Sequence, residues 1–207
     1  MKQIFLVLSL ITGLLVRSQS SIDGYIKEAQ TFLTQKNYKQ AQLSLQDAMN
    51  EINNLLAKQI AEAIPSQIGD LKSVGEPEIT NATMMGAGMQ IMKTYKNAAK
   101  PEVSAEITIL SNPSVIAGLT MFINNPSLMG QGQKSIRIGA RRAIAKTEME
   151  DRTDDKGITK QVRVTEIQIP LSQTMVTVKS IGLANEQEEQ AFVSKIDLDK
   201  LKTLLGE

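Results

Sequence analysis

The sequence predicts an α+β protein: an N-terminal helical hairpin, then a mainly antiparallel sheet with an inserted helix and a C-terminal helix. Three observations carry this. From Ser21 to Ile64 apolar residues recur at helical spacing. From about Met84 the period falls to two, in runs rich in Ile, Val and Thr. Turn residues separate those runs, and helical segments are inserted and appended, the pattern of a sheet covered on one face by helices.

The chain begins with a separate segment. Met1-Lys2 is a basic start, Ile4 to Val16 is mostly apolar, and Val16-Arg17-Ser18 ends the run. This is the pattern of an export signal over residues 1–18, with cleavage as late as residue 20. The apolar run is shorter than the ~20 residues that span a bilayer. The expected product is exported, periplasmic or extracellular, with no integral membrane segment once the signal is removed.

The hairpin occupies residues 19–64. Ile22, Tyr25, Ile26, Ala29, Phe32 and Leu33 form the first stripe. Thr34 to Asn37 breaks it, and Tyr38, Ala41, Leu45, Ala48, Ile52, Leu55 and Ile60 form a second. Pro65 ends this helix, because a residue before proline avoids the helical region. Residues 65–83, with Pro65, Gly69, Gly75 and Pro77, read as a linker to a domain at 84–207. In that domain strands are expected at 89–95, 105–110, 134–138, 140–147, 162–169 and 175–181. Pro113 opens the inserted helix, and Gly139 marks a bulge or tight bend. The run from Glu150 to Gly157 reads as a charged hairpin loop. Asn185 caps the final helical segment, and Asp197 restarts it after a kink.

Two resemblances follow from these residues. Ala29, Phe32, Tyr38, Ala41, Leu45 and Ala48 resemble one tetratricopeptide-type helix pair, although Asn53 stands where such a unit has proline. The element order over residues 84–205 is similar to PsbP-like domains. It also resembles exported bacterial proteins carrying Gly86-Ala87-Gly88, Asn112-Pro113 and the run from Arg137 through Gly139 to Ala143. These resemblances imply a fold and export rather than a chemistry.

Composition removes whole classes of reaction. The chain has no Cys and no His. Disulfides, thiolate nucleophiles, Ser-His-Asp catalysis and imidazole or thiolate zinc sites are therefore impossible. Net charge is +1, and loss of Lys2 and Arg17 with the signal leaves 21 basic against 22 acidic side chains. Nucleic acid is not an expected partner, since its binding needs a concentrated basic surface. Three Tyr, four Phe and no Trp give little area for stacking on bases or sugars.

No catalytic residue, metal site or cofactor is assigned. Met84, Met85, Met89 and Met92 suggest thioether copper ligation, but core or apolar lining accounts for them more simply. The acids from Glu148 to Asp155 lack the spacing of a calcium loop. Ser73 beside Lys72 and Ser194 beside Lys195 lack the spacing of a Ser–Lys pair. The expectation is an exported, non-enzymatic binding or interaction module of the bacterial envelope. Met89, Ile91, Met121 and Phe122 would line an apolar cleft between sheet and inserted helix. Arg137, Arg141 and Arg142 would grip an anion. The hairpin would contact a protein partner or cover the cleft, whose ligand would be small and apolar. The alternatives are an envelope enzyme using carboxylates or a bound metal, and a structural accessory subunit of an envelope complex.

Overall fold

A computed structural model of the chain describes residues 21–81, 89–111, 113–153 and 157–207. The expected export signal lies outside these residues. So do Met84, Met85, the Gly86–Gly88 motif, Asn112, Asp154 and Asp155. The chain divides into two units, Met1–Leu56 and Ala57–Glu207.

In the first unit, α1 covers residues 21–34 and α2 begins at Tyr38 and runs to Ala63. Small side chains face each other where the helices meet: Ala29 on α1, and Ala41, Ser44 and Ala48 on α2, are all buried. Ser44 Oγ donates to Glu28 Oε2 at 3.0 Å, tying the pair. Helix α1 stops in a Schellman turn, with Asn37 N bonded to Phe32 O and Lys36 N to Leu33 O. Lys36 holds the left-handed position of that turn at φ 60°, where a side chain is strained and glycine is not. Asn37 Oδ1 then accepts from Gln40 N and starts α2.

The second unit is built on nine antiparallel strands among the described residues. They are β1 (Gln67–Ile68), β2 (Leu71–Ser73), β3 (Glu78–Asn81), β4 (Met89–Asn97) and β5 (Ser104–Ser111). After these come β6 (Gln133–Ile138), β7 (Arg141–Thr153), β8 (Thr159–Pro170) and β9 (Thr174–Ile181). Their order is β1-β2-β4-β5-β9-β8-β7-β6, with β3 also on β4. The expected linker at 65–83 is therefore corrected: residues 67–81 supply three short edge strands. Their turn residues masked them. β2 and β3 share one edge of β4, and Val74–Pro77 bulge out opposite only Lys93 and Thr94.

Helix α3 (Pro113–Asn124) links β5 to the far edge strand β6, and on the way it touches β7, β8 and β9. Gly139, at φ 59°, makes the tight β6–β7 turn. The loop expected at 150–157 is shorter than the sequence suggests, because β7 pairs with β8 as far as Thr153. Helices α4 (Glu186–Val193) and α5 (Leu198–Leu204) close the chain, capped by Asn185 and Asp197.

Register separates the two faces. Ile91 and Tyr95, Ala105, Ile107 and Ile109, Val176 and Val178, and Ile167 and Ile169 lie on one face and are buried. Against this face pack Ile60 and Ile64 at the end of α2, Phe192 and Val193 of α4, and Leu201 of α5. Each such side chain contributes about 1.5–3 kcal/mol. Exposed ion pairs give at most about 1 each, so this layer holds the unit together. The expectation of helices on one face only is corrected, because on the opposite face α3 covers one end, where Ile123 meets Ile144, Met129 and Met175. Beyond it the face is polar, and paired positions carry Glu106, Lys179, Glu166 and Lys146 in one row of alternating charge.

Relieving the strained position should strengthen the helical pair. Lys36→Gly is expected to stabilise it by about 0.5–1 kcal/mol, read as a higher denaturant midpoint at unchanged slope.

Candidate functional site

Strand β4 carries the most unusual chemistry. Its inward positions are Met89, Ile91, Lys93 and Tyr95, so a lysine stands in an aliphatic row. Lys93 is 8% exposed. Its Nζ donates to Ile64 O at 2.7 Å and to Ala61 O at 3.3 Å. In a continuing helix Ala61 O would take the N–H of residue 65, but that residue is Pro65 and has none. Lys93 supplies the missing donor and sets a cation at the negative end of α2. Tyr95 Oη donates to Pro65 O at 2.6 Å, and its ring meets Phe192 edge-to-face at 5.7 Å. Burial lowers the Lys93 ammonium below its usual range, opposed by Glu76 in the neighbouring bulge. Burial also raises the Tyr95 hydroxyl well above its usual value. Both groups are engaged with backbone carbonyls, so this is an anchor and not a reactive pair.

A second polar anchor joins α4 to β8. Glu189, 3% exposed, accepts Arg163 Nε at 2.7 Å, Arg163 Nη2 at 3.2 Å and Thr165 Oγ1 at 2.6 Å. The hydrogen bond to Glu189 raises the Arg163 guanidinium further. At the surface, hydrogen bonds from Lys134 and Lys146 lower Glu186 and Glu148 respectively.

Two clefts flank α4. One, of about 410 Å³, has an apolar floor of Ile68, Leu71, Val103, Leu183 and Phe192 and a rim that includes Asp70, Lys100, Glu188 and Lys195. The other, of about 610 Å³, lies between the β6–β7 turn and the α4–α5 junction. There Arg141 pairs with Asp199. Both volumes are in the range of ligand sites. The rim charges of the first, however, are exposed and of mixed sign. Among the described residues no three carboxylates gather where a metal ion would sit.

The four residues expected to line one cleft are not brought together. Met89 and Ile91 point to the buried face, and Ile91 is 0% exposed. Met121 and Phe122 lie on α3, across the sheet, at 58% and 42% exposed. Strand parity decides this: α3 packs on the face carrying Ile144 and Met175, opposite Ile91. The three arginines also separate. Arg137 pairs with Arg142 across the β6–β7 hairpin, whereas Arg141 stands opposite Ile138 on the other face. The two-residue turn at Gly139 keeps the strand alternation, so adjacent Arg141 and Arg142 point apart.

Among the described residues, exposed large apolar side chains gather on the helical pair. Tyr38, Leu45, Met49 and Ile52 on α2 are 66%, 46%, 56% and 47% exposed. Ile26 and Leu33 on α1 are 39% and 49% exposed. With 100° per residue, the α2 stripe lies beside the Ala41–Ala48 contact row, and Ile26 and Leu33 lie beside the Ala29 row of α1. For antiparallel helices these offsets put all six side chains on one open side of the pair. Composition hid this surface, because each stripe read alone looks like an ordinary core face. Among the described residues no helix is long and apolar enough to cross a membrane.

No protein-family model matches this chain, and no curated protein matches it. Neither the tetratricopeptide-like nor the PsbP-like resemblance is supported by these comparisons. Among solved structures, a protein of Bacteroides thetaiotaomicron VPI-5482 is similar with a TM-score of 0.41 at 10% identity. The match covers 60% of this chain and 40% of that one, so the chain spans less than half of that protein's length.

Two measurements test the anchor. Tyr95→Phe leaves the Pro65 carbonyl without its donor and is expected to cost about 1–2 kcal/mol in denaturant unfolding. For Lys93, the folded-state pKa lies below the unfolded 10.5. The penalty for burying its charge is full below the folded value and is lifted as pH rises toward 10.5. The stability of the wild type relative to Lys93→Met should therefore climb through that window; a flat difference from pH 7 to 10.5 would refute the burial argument.

Proposed function

We propose that the chain is an exported interaction module of the bacterial envelope that works by surface fit rather than by bond-breaking. The observation that carries this reading is the open apolar side of the helical pair, six large side chains without a charge among them. Monomeric soluble proteins seldom leave such a contiguous patch bare, and where they do it marks a binding surface. The partner it fits is a helix, or pair of helices, with its own apolar stripe, laid along Tyr38, Leu45, Met49 and Ile52. Absence of His and Cys leaves few routes to catalysis, and the buried ionisable groups described above are engaged in holding helices to the sheet. A single tetratricopeptide-like pair is consistent with this role, since one helical repeat cannot bury its apolar side alone. The signal-like residues 1–18 support export.

Site-specific photocrosslinking in cells tests the reading. A crosslinker at Leu45 or Met49 should yield discrete protein adducts, and one at Asp47, on another side of α2, should not. Equal yields at all three positions, or none at Leu45 and Met49, would reject an interaction role for this surface.

A further inference from the structure

We infer that the occupant of the open apolar side is a second copy of this chain, two helical pairs closing face to face into a four-helix bundle. The inference rests on the interaction reading above and adds the identity of the partner.

Heptad spacing is the first argument. Tyr38, Leu45 and Ile52 are seven apart, and Gln42, Met49 and Leu56 form a second seven-residue row offset by four. This is the a/d seam that packs helices at a shallow angle in bundles. Gln42 is the one polar residue in the seam, and such a residue sets register at some cost in stability.

Charge is the second argument. The six side chains and Gln42 are uncharged, and helical geometry puts Asp23 and Gln30 beside the α1 stripe and Lys39 and Gln46 beside the α2 stripe. The centre of such a surface is uncharged and its rim carries both signs, so it has no single-sign field to attract a charged partner or to repel its own copy.

Area is the third. From their exposures the six side chains present roughly 600 Å² per chain, or roughly 1,200 Å² for two, the lower bound of a specific interface. The contact is isologous, so a twofold axis passes through the middle of the stripe. That middle is Leu45, midway in sequence between Tyr38 and Ile52. Leu45 therefore meets Leu45 of the partner subunit.

The test is sedimentation equilibrium of the purified mature chain from about 1 to 200 µM. The wild type should have twice the monomer mass. Leu45→Glu, which sets two like charges at the axis, should weaken self-association at least roughly a hundredfold while the monomer keeps its helical circular dichroism and a cooperative unfolding transition. Mixing Leu45→Glu with Leu45→Arg should restore a mixed dimer, which a merely misfolded variant could not do. A monomeric wild type at 200 µM, or a Leu45→Glu dimer of wild-type affinity, would overturn the proposal. Adduct mass separates the two levels of the argument. Leu45 crosslinks at twice the chain mass support the second copy. Crosslinks at another mass overturn it while leaving the interaction reading intact, and no crosslinks at Leu45 or Met49 overturn both.

Discussion

The grip of β4 on the carbonyl end of α2 is the constraint on which the second unit depends. A helix that runs into proline loses the N–H its last turns need. Here the donors come from 29 to 32 residues further along the chain, from the Lys93 ammonium and the Tyr95 hydroxyl. Both sit on the inward face of a strand that is otherwise aliphatic. Desolvating a lysine is unfavourable, and the low exposure of Lys93 shows that the contact is made despite that cost. The Tyr95 ring then meets Phe192, so one strand binds the end of α2 on one side and α4 on the other.

From that anchor the rest of the layer follows. Glu189 fastens α4 to β8 through Arg163 and Thr165. Arg141 fastens α5 to β7 through Asp199. Glu207 accepts from the backbone of Ser172 and Gln173 and from Thr174 Oγ1, so the end of the chain clasps the β8–β9 turn. The polar groups at this layer are arranged around an aliphatic centre. They orient the helices, while burial of the isoleucines and valines supplies most of the cohesion.

The opposite face shows why a chemically reasonable site failed to assemble. Met89, Ile91, Met121 and Phe122 are all apolar and all near the inserted helix in sequence. Strand β4 can show only alternate residues to one side. Its odd positions were claimed by the α2 and α4 layer, so α3 met the sheet from behind. The same alternation divided three neighbouring arginines. A period of two was plain in the sequence, but which phase faced which helix was not.

What the sequence determined by itself is whatever depends on near neighbours. Helix periodicity, Pro113 at a helix start, the caps at Asn185 and Asp197, the bend at Gly139 and the switch to strands are all local, set by backbone sterics and side chains a few residues apart. Only the tertiary structure decided the placement of residues 67–81 as edge strands. It alone also showed the β5–β9 neighbourhood, the burial of Lys93 and the bareness of Leu45 and Met49. Each of these depends on pairings between segments distant in sequence, and a buried stripe and a bare one carry the same residues. The difference between them lies in what else the chain brings up against the stripe.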